Sequence, residues 1–338
     1  MSDTIVGHEF QKNLLLRAER EGIVSHSYMF SGPDGVGKKL VALEFAKLLN
    51  CTSDKKNAFS GDCDCGSCRK VDRGIHPDVV LVEYEGVKDI KVDQIREGIE
   101  DKLFLKPFEG RFKVVIVDES ERMNRSAQNA FLKTLEEPPP NSVIVLLTSR
   151  VHTLLPTILS RCQIIRFSPL PQETVVQILE EKTELSGAEA LLSSRLSEGS
   201  PGLALKFDTE IIEWRKELLM RVSELDCRSA SQIDGLAESV LSGSAQGDTE
   251  KLRLAIEFIS HWLRDLILIK IGAEEKYLTH TDLIEASKKA AAELSTQDIL
   301  ERHKYLQNAW NDIFFANANK QLSLENLFIK LAFKAGIN

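Results

Sequence analysis

The sequence predicts a parallel α/β sheet domain followed by an all-helical half, and three stretches carry that prediction. Four β-branched apolar residues, Val114 to Val117, run straight into Asp118-Glu119, the pattern of a buried parallel strand delivering carboxylates at its carboxyl end. Tyr28-Met29-Phe30-Ser31 reads as a second strand end, followed by Gly32-Pro33-Asp34-Gly35-Val36-Gly37-Lys38-Lys39 and a helix-forming run from Leu40 to Asn50. Beyond Pro169-Leu170-Pro171 the strand signals stop and helical periodicity takes over.

At 338 residues, 43% apolar and 28% charged, the chain has room for two or three domains of ordinary globular chemistry. Its formal charge of −8 argues against a surface that wraps nucleic acid all round. The opening MSDTIVGHEFQKNLLL lacks the apolar core of a signal peptide, and there is no apolar run of about 18 residues, the length a membrane span needs. A cytoplasmic protein without membrane contact is expected.

In chain order, Phe10, Leu14 and Ala18 recur at helical spacing within Glu9 to Ala18, which reads as a surface helix on the sheet. After the strand entered by His26 to Phe30 comes the glycine-rich loop. It fits G-x-x-x-x-G-K with a strand before and a helix after. Gly32, Gly35 and Gly37 let backbone N–H groups turn toward an anion, and Lys38 supplies a charge for β/γ-phosphates. Where the pattern wants a hydroxyl to hold Mg²⁺, Lys39 stands; a protonated amine cannot ligate the ion and repels it. Two readings stay open, a loop that binds ATP and a loop kept as scaffold.

Cys51, Cys63, Cys65 and Cys68 are too tightly clustered for a disulfide framework. Four thiolates gathered by a short loop suit a closed tetrahedral Zn²⁺ site, with Gly61 and Gly66 for the turns, and four protein ligands make such a zinc structural rather than catalytic. Residues 52 to 70 are polar with little periodicity, so the metal would replace a core there. Free or redox-active thiols are the alternative, because Cys63-x-Cys65 is tighter than the usual spacing.

Past His76-Pro77-Asp78, Val79 to Val82 reads as a strand and Lys91 to Lys102 as a helix with Val92, Ile95 and Ile99 on one face. Asn124 to Glu137 follows the acidic strand as a helix burying Ala127, Ala130, Phe131 and Leu135, stopped by Pro138-Pro139-Pro140. Strand Ser142 to Thr148 brings Thr148 beside the acidic pair, either to sense a γ-phosphate or simply to end the strand. A helical stretch Pro156 to Leu159, then Ser160-Arg161-Cys162, leads to strand Gln163 to Phe167. The alternation means a parallel sheet. Glu173 to Lys182 and Ala188 to Leu196 are helical, a break at Glu198 to Gly202 follows, and from Thr209 the chain is helical, with Leu252 to Ile271 apolar over most of its circumference and Gln321 to Phe333 another long amphipathic helix.

Together the phosphate loop, the four-cysteine insert, His76-Pro77-Asp78, Val114 to Glu119, Lys133-Thr134-Leu135-Glu136-Glu137-Pro138-Pro139 and Ser160-Arg161-Cys162 resemble the clamp-loader subunits of bacterial DNA polymerase III, within the AAA+ class. The resemblance covers nearly the whole chain and is most specific between residues 26 and 168. It implies an AAA+ nucleotide-binding-like domain over 1–168 with a zinc module at 51–70, a helical lid over 169–208 and a helical collar over 209–338. It also implies a hetero-pentamer with gamma/tau and delta subunits that opens the sliding clamp and places it on primed DNA. Motor subunits of that family carry Ser or Thr in place of Lys39 and a lid arginine in place of Gly202. The chain therefore resembles the stator rather than the motor, no ATPase alone but part of the polymerase holoenzyme, with Arg161 presented in trans to a neighbour's ATP. A planar guanidinium suits the charge that develops on a transferring phosphoryl group. Two other readings are an ATP-hydrolysing motor using Lys38, Asp118 and Glu119, and a zinc-dependent nucleic-acid-binding protein. The second is weakened by the acidic charge and by the lack of aromatics interleaved with basic residues around the cysteines.

Overall fold

The computed structural model describes residues 5–53, 59, 63–83, 99, 101–185, 187–242, 247–314, 316 and 318–332. The chain divides into two compact units, Met1–Lys182 with Glu198–Leu205, and Thr183–Ser197 with Lys206–Asn338.

The first unit is built on five parallel strands, β1 (Ser27–Ser31), β2 (Val79–Val82), β3 (Lys113–Val117), β4 (Ser142–Thr148) and β5 (Gln163–Arg166), in the order β2-β3-β4-β1-β5. Successive side chains on a strand point to opposite faces, and the sequence fills both with apolar groups. Tyr28, Phe30, Ile116, Val145 and Leu147 bury against Leu15 of α1 (Glu9–Arg20) and Val41, Phe45 and Leu49 of α2 (Lys38–Asn50). Met29, Val115, Val117, Ile144 and Leu146 bury on the other face with Phe131, Leu135 and Ile158. Helices thus cover both faces, and the carboxyl ends of β1, β3 and β4 open on one edge, where ligands of such sheets bind.

The strands and most helices lie where the sequence puts them. The helix after the acidic strand runs Arg125–Glu136, because the Asn124 side chain accepts the Ala127 N–H at 2.8 Å as an N-cap. Of the helix expected over Lys91 to Lys102, residues 91–98 and 100 lie outside the described residues, while Asp101–Leu103 is helical. A short helix not foreseen in the cysteine-rich stretch, α3 (Gly66–Asp72), is capped by Cys65, whose sulphur accepts the Cys68 N–H. The stretch 169–208 is shared, since Gln172–Lys182 and Pro201–Ala204 fall in the sheet unit and Ala188–Leu196 in the helical one.

The second unit is all helical among the described residues. Thr209–Ser223, Ala230–Leu241, Gly247–Lys270, Ile284–Glu293, Thr296–Phe314 and Lys320–Leu331 enclose an apolar core around Trp262, whose indole N–H donates to Ser287 Oγ at 2.9 Å. Residue 333, the expected end of the last helix, lies outside the described residues.

Inside this unit Arg215, Asp265 and His280 form a buried polar cluster, which Asp282 joins from the exposed side. Arg215 is fully buried; its guanidinium donates to His280 Nδ1 at 2.6 Å and pairs with Asp282, while Asp265 accepts the His280 N–H at 2.8 Å. Arginine has no acceptor, so His280 Nδ1 must be bare and the proton sits on Nε2, 3.2 Å from the Phe258 carbonyl. Burial first, then the charges of Arg215, His261 and Arg264, holds the His280 pKa well below its ordinary value. The folded state therefore favours neutral histidine. The stability this confers is present above the unfolded pKa of about 6.5 and is lost as pH falls below it, with a limiting slope of about 1.4 kcal/mol per pH unit. The melting temperature should fall between about pH 7 and 5.5 around that ordinary pKa. His280→Gln, which still offers Arg215 an acceptor, should flatten the dependence.

Candidate functional sites

The loop after β1 is shaped by contacts that exclude side chains. A Cβ at Gly32 would come within 2.2 Å of the Phe167 carbonyl oxygen, and Gly35 and Gly37 take φ of +70° and +110°. Their left-handed backbone turns the chain so that the N–H groups of Asp34 to Lys38 are engaged by no other described residue. An array of free amides at a helix start is an anion cradle. The Lys38 ammonium is folded into the loop, donating to the carbonyls of Gly32 and Pro33 at 2.7 Å each. Burial lowers its pKa, opposed by the charges of Asp34, Glu121 and Asp118.

Three contacts brace the loop from outside. His8 Nε2 donates to the Val36 carbonyl at 2.8 Å, Ser200 Oγ to the Asp34 carbonyl at 2.6 Å, and Gly202 N–H to the Gly35 carbonyl at 2.8 Å. His8 could not be singled out from sequence; its ring is aimed by its own left-handed backbone, φ 58°. Gly202 allows a backbone-to-backbone approach, since a Cβ there would lie 2.8 Å from the Gly35 oxygen and 2.9 Å from its Cα.

The acidic residues sort differently from their order in the chain. Asp118 faces the loop, with Oδ2 3.4 Å from Lys39 Nζ, and the same ammonium pairs with Glu83 at the end of β2. Burial alone would depress Lys39, but hydrogen bonds and charge from Glu83 and Asp118 outweigh it and hold its pKa above the ordinary value. Glu119 takes a left-handed turn, φ 44° and ψ 46°, and its carboxylate pairs with Arg122. Glu121 is the second acid near the loop: Ser149 Oγ donates to it at 2.6 Å at the tip of β4, and its charge is felt by Lys38. Thr148 is 1% exposed, its carbonyl accepting the Gly32 N–H and its hydroxyl the Arg150 N–H. Neither Glu83 nor Glu121 carries a signal in the sequence, because only the sheet order and a turn bring them here.

The four cysteine sulphurs lie within 4.8 Å of one another, with Cys51 Sγ 3.5 Å from that of Cys63 and 3.9 Å from that of Cys65. Four thiolates about 2.3 Å from one tetrahedral Zn²⁺ would stand about 3.8 Å apart, so the donor set fits that ion. Against the burial that would raise it, hydrogen bonds from the Cys68 N–H and Thr52 bring the Cys65 pKa down to about 5, while burial pushes Cys51 and Cys68 up. His76 ties this cluster to the sheet. Its Nε2 donates to Ser67 Oγ at 3.0 Å and its Nδ1 accepts the Asp78 N–H at 3.0 Å. The Asp78 carboxylate accepts three N–H groups, from Phe108, Glu109 and Gly110, and pairs with Lys113 at 3.1 Å; against burial, these bonds hold its pKa at about 2.

Arg161 stands away from the loop in the turn after Pro156–Leu159. Its Nη2 lies 2.6 Å from Glu136 Oε1, and its Nη1 donates to the Thr157 carbonyl at 2.9 Å.

A parallel sheet with a phosphate loop after its first strand and acids after its third defines a P-loop domain of the AAA+ type. The profile described as DNA polymerase III, delta subunit matches residues 7–171, and that described as DNA polymerase III, delta subunit, C terminal matches residues 215–332. The chain belongs to this family of DNA polymerase III subunits. It is 27% identical over 318 residues to the DNA polymerase III subunit delta' of Bacillus subtilis, covering 94% of each chain. The subunit delta' of Pseudomonas aeruginosa is 29% identical over 325 residues, with 91% of this chain and 92% of that one covered. The subunit tau of Escherichia coli is 36% identical over 213 residues, spanning 62% of this chain but 32% of that one. No helix among the described residues is long and apolar enough to cross a membrane.

Tight packing of the loop makes its glycines a stability test. Gly35→Ala would combine a left-handed φ with a Cβ 2.5 Å from Ser200 Oγ. It should destabilise the chain by about 1–3 kcal/mol, read from denaturant unfolding.

Proposed function

We propose that the chain is a delta-prime stator of the clamp loader, with a nucleotide-binding-like domain over 1–168, a lid over 169–208 and a collar over 209–338. One observation carries this reading: the Lys39 ammonium lies between Asp118 and Glu83, where a motor subunit would need a hydroxyl and a divalent ion. An Mg²⁺ brought there would meet a fixed positive charge, and the acid that should help hold it is already neutralised. The glycine at 202 supports the same reading, because the loop backbone leaves no room there for the side chain of a lid arginine. The motor reading, with Lys38, Asp118 and Glu119 as its machinery, meets the same obstacle and also the turn that points Glu119 at Arg122. In this proposal the subunit is cytoplasmic and joins gamma/tau and delta in a five-membered ring, and Arg161 serves the ATP of a neighbour. The open amides of the loop leave room for an anion, so nucleotide binding without hydrolysis fits the geometry better than turnover.

The purified chain should hydrolyse ATP at background rate, and Lys38→Ala should change nothing measurable. Robust turnover lost on Lys38→Ala would establish a motor instead. In a reconstituted loader Arg161→Ala should leave assembly intact and lower ATPase and clamp loading, since an arginine finger contributes about 10³ to 10⁵ in rate at its own site. The total will fall less, because other sites keep their own arginines.

The cysteine cluster is proposed to hold one structural Zn²⁺ through Cys51, Cys63, Cys65 and Cys68. Elemental analysis of protein purified without chelator should find about one zinc per chain, the stoichiometry of a closed four-ligand site. Cys51→Ser should lower that content and raise amide exchange near Cys63 to Asp72, while β3 and β4 stay protected.

A further inference from the structure

The contact between Arg161 and Glu136 has no counterpart in the sequence pattern that singled out the arginine. Glu136 is the last residue of Arg125–Glu136, and Glu137 follows it. Carboxylates are disfavoured there, where the helix dipole presents its negative end and unpaired carbonyls. A glutamate that runs against local preference needs a compensating cation, and Arg161 Nη2 supplies it at 2.6 Å.

The guanidinium is held at several points. Arg161 N–H donates to the Ile158 carbonyl at 3.0 Å and its own carbonyl accepts from buried Ser27 Oγ at 2.5 Å, which fixes the backbone. Its Nη1 donates to the Thr157 carbonyl at 2.9 Å and to Ser160 Oγ at 3.4 Å, and its Nη2 faces Glu136. Of the five N–H groups, the Nε–H and the second Nη2–H are left over, enough to bracket a phosphoryl oxygen while Glu136 stays in place. The side chain of Arg161 is 34% exposed, so part of it meets solvent.

We infer that Glu136 is the positioning residue of Arg161: its carboxylate holds the guanidinium plane so that the free edge is presented to the phosphate bound by a neighbouring subunit. The inference rests on the trans-acting role proposed for Arg161. A long arginine side chain left without this carboxylate samples many rotamers, and loss of orientation at a reacting phosphate is costly in rate even when binding is untouched.

The test is steady-state ATP hydrolysis by the reconstituted loader carrying parent, Glu136→Ala, Glu136→Gln, Arg161→Ala or the double substitution Glu136→Ala/Arg161→Ala. Melting curves of each free chain check that folding is unchanged. Glu136→Ala should lower kcat, by up to about 10²-fold at the served site, with KM for ATP unchanged. Glu136→Gln, which still accepts a hydrogen bond, should recover most of that loss. The double variant should be no slower than Arg161→Ala alone, because the two residues act as one unit. A parent-like or raised kcat in Glu136→Ala beside a slow Arg161→Ala overturns positioning and leaves the finger standing. Additive losses in the double variant, or no rescue by glutamine, overturn it as well. A parent-like Arg161→Ala removes the trans-acting reading and this inference with it.

Discussion

An ammonium group wedged between two carboxylates decides what the crevice of this sheet can hold. Lys39, the second residue of α2, follows the loop lysine and reaches Asp118 at the end of β3 and Glu83 at the end of β2. Those three positions come from separate strands and a helix start, and the sheet order β2-β3-β4-β1-β5 is what lets them meet. Anion cradle and cation site are thereby uncoupled. The amides of Asp34 to Lys38 are engaged by no other described residue, while Asp118 and Glu83 are both paired with the Lys39 ammonium.

Residues whose partners lie within one element were legible in advance, and residues whose partners come from elsewhere were not. The run Val114 to Val117 is fully buried because a strand covered on both faces must be apolar on both, and that shows in four letters. The cysteine convergence was readable too, since four thiols within 18 residues have little freedom to be apart. By contrast, the step from Asp118 to Glu119 looks like a continuing pair on paper. A left-handed turn at Glu119 sends its carboxylate to Arg122, and Glu121 takes a place near Lys38 that no periodicity announces. The pairing of Arg161 with Glu136, 25 positions earlier in the chain, depends on how a helix end meets a turn. The helical half was legible as elements, and nothing in the letters of Ala188–Leu196 says which compact unit that helix joins.

The helical unit illustrates a different rule about buried charge. Arg215, Asp265 and His280 are buried among the helices around Trp262, where isolated charges would be costly, and the exposed Asp282 reaches them from the surface. They persist because each is engaged: Asp265 takes the backbone N–H groups of Thr279 and His280, and Arg215 takes His280 and Asp282. Such a set fixes the approach of the segment after Gly247–Lys270 to the helix Thr209–Ser223 more sharply than apolar packing would, since a displaced partner leaves an unpaired charge.

The brevity of the outer strands matters for a protein that is synthesised before it meets partners. Both rims of the sheet, β2 and β5, are only four residues long, and β5 turns Gln163, Ile164 and Arg166 to solvent. A long flat rim with unpaired amides would template the addition of another chain edge to edge, and concentrated copies would aggregate. Four residues offer few ladder bonds, and on β5 the exposed Arg166 adds a charge, so either rim gives little foothold for that growth. The same brevity makes either rim a poor place for a partner to add a strand, a mode of recruitment that depends on a run of main-chain hydrogen bonds.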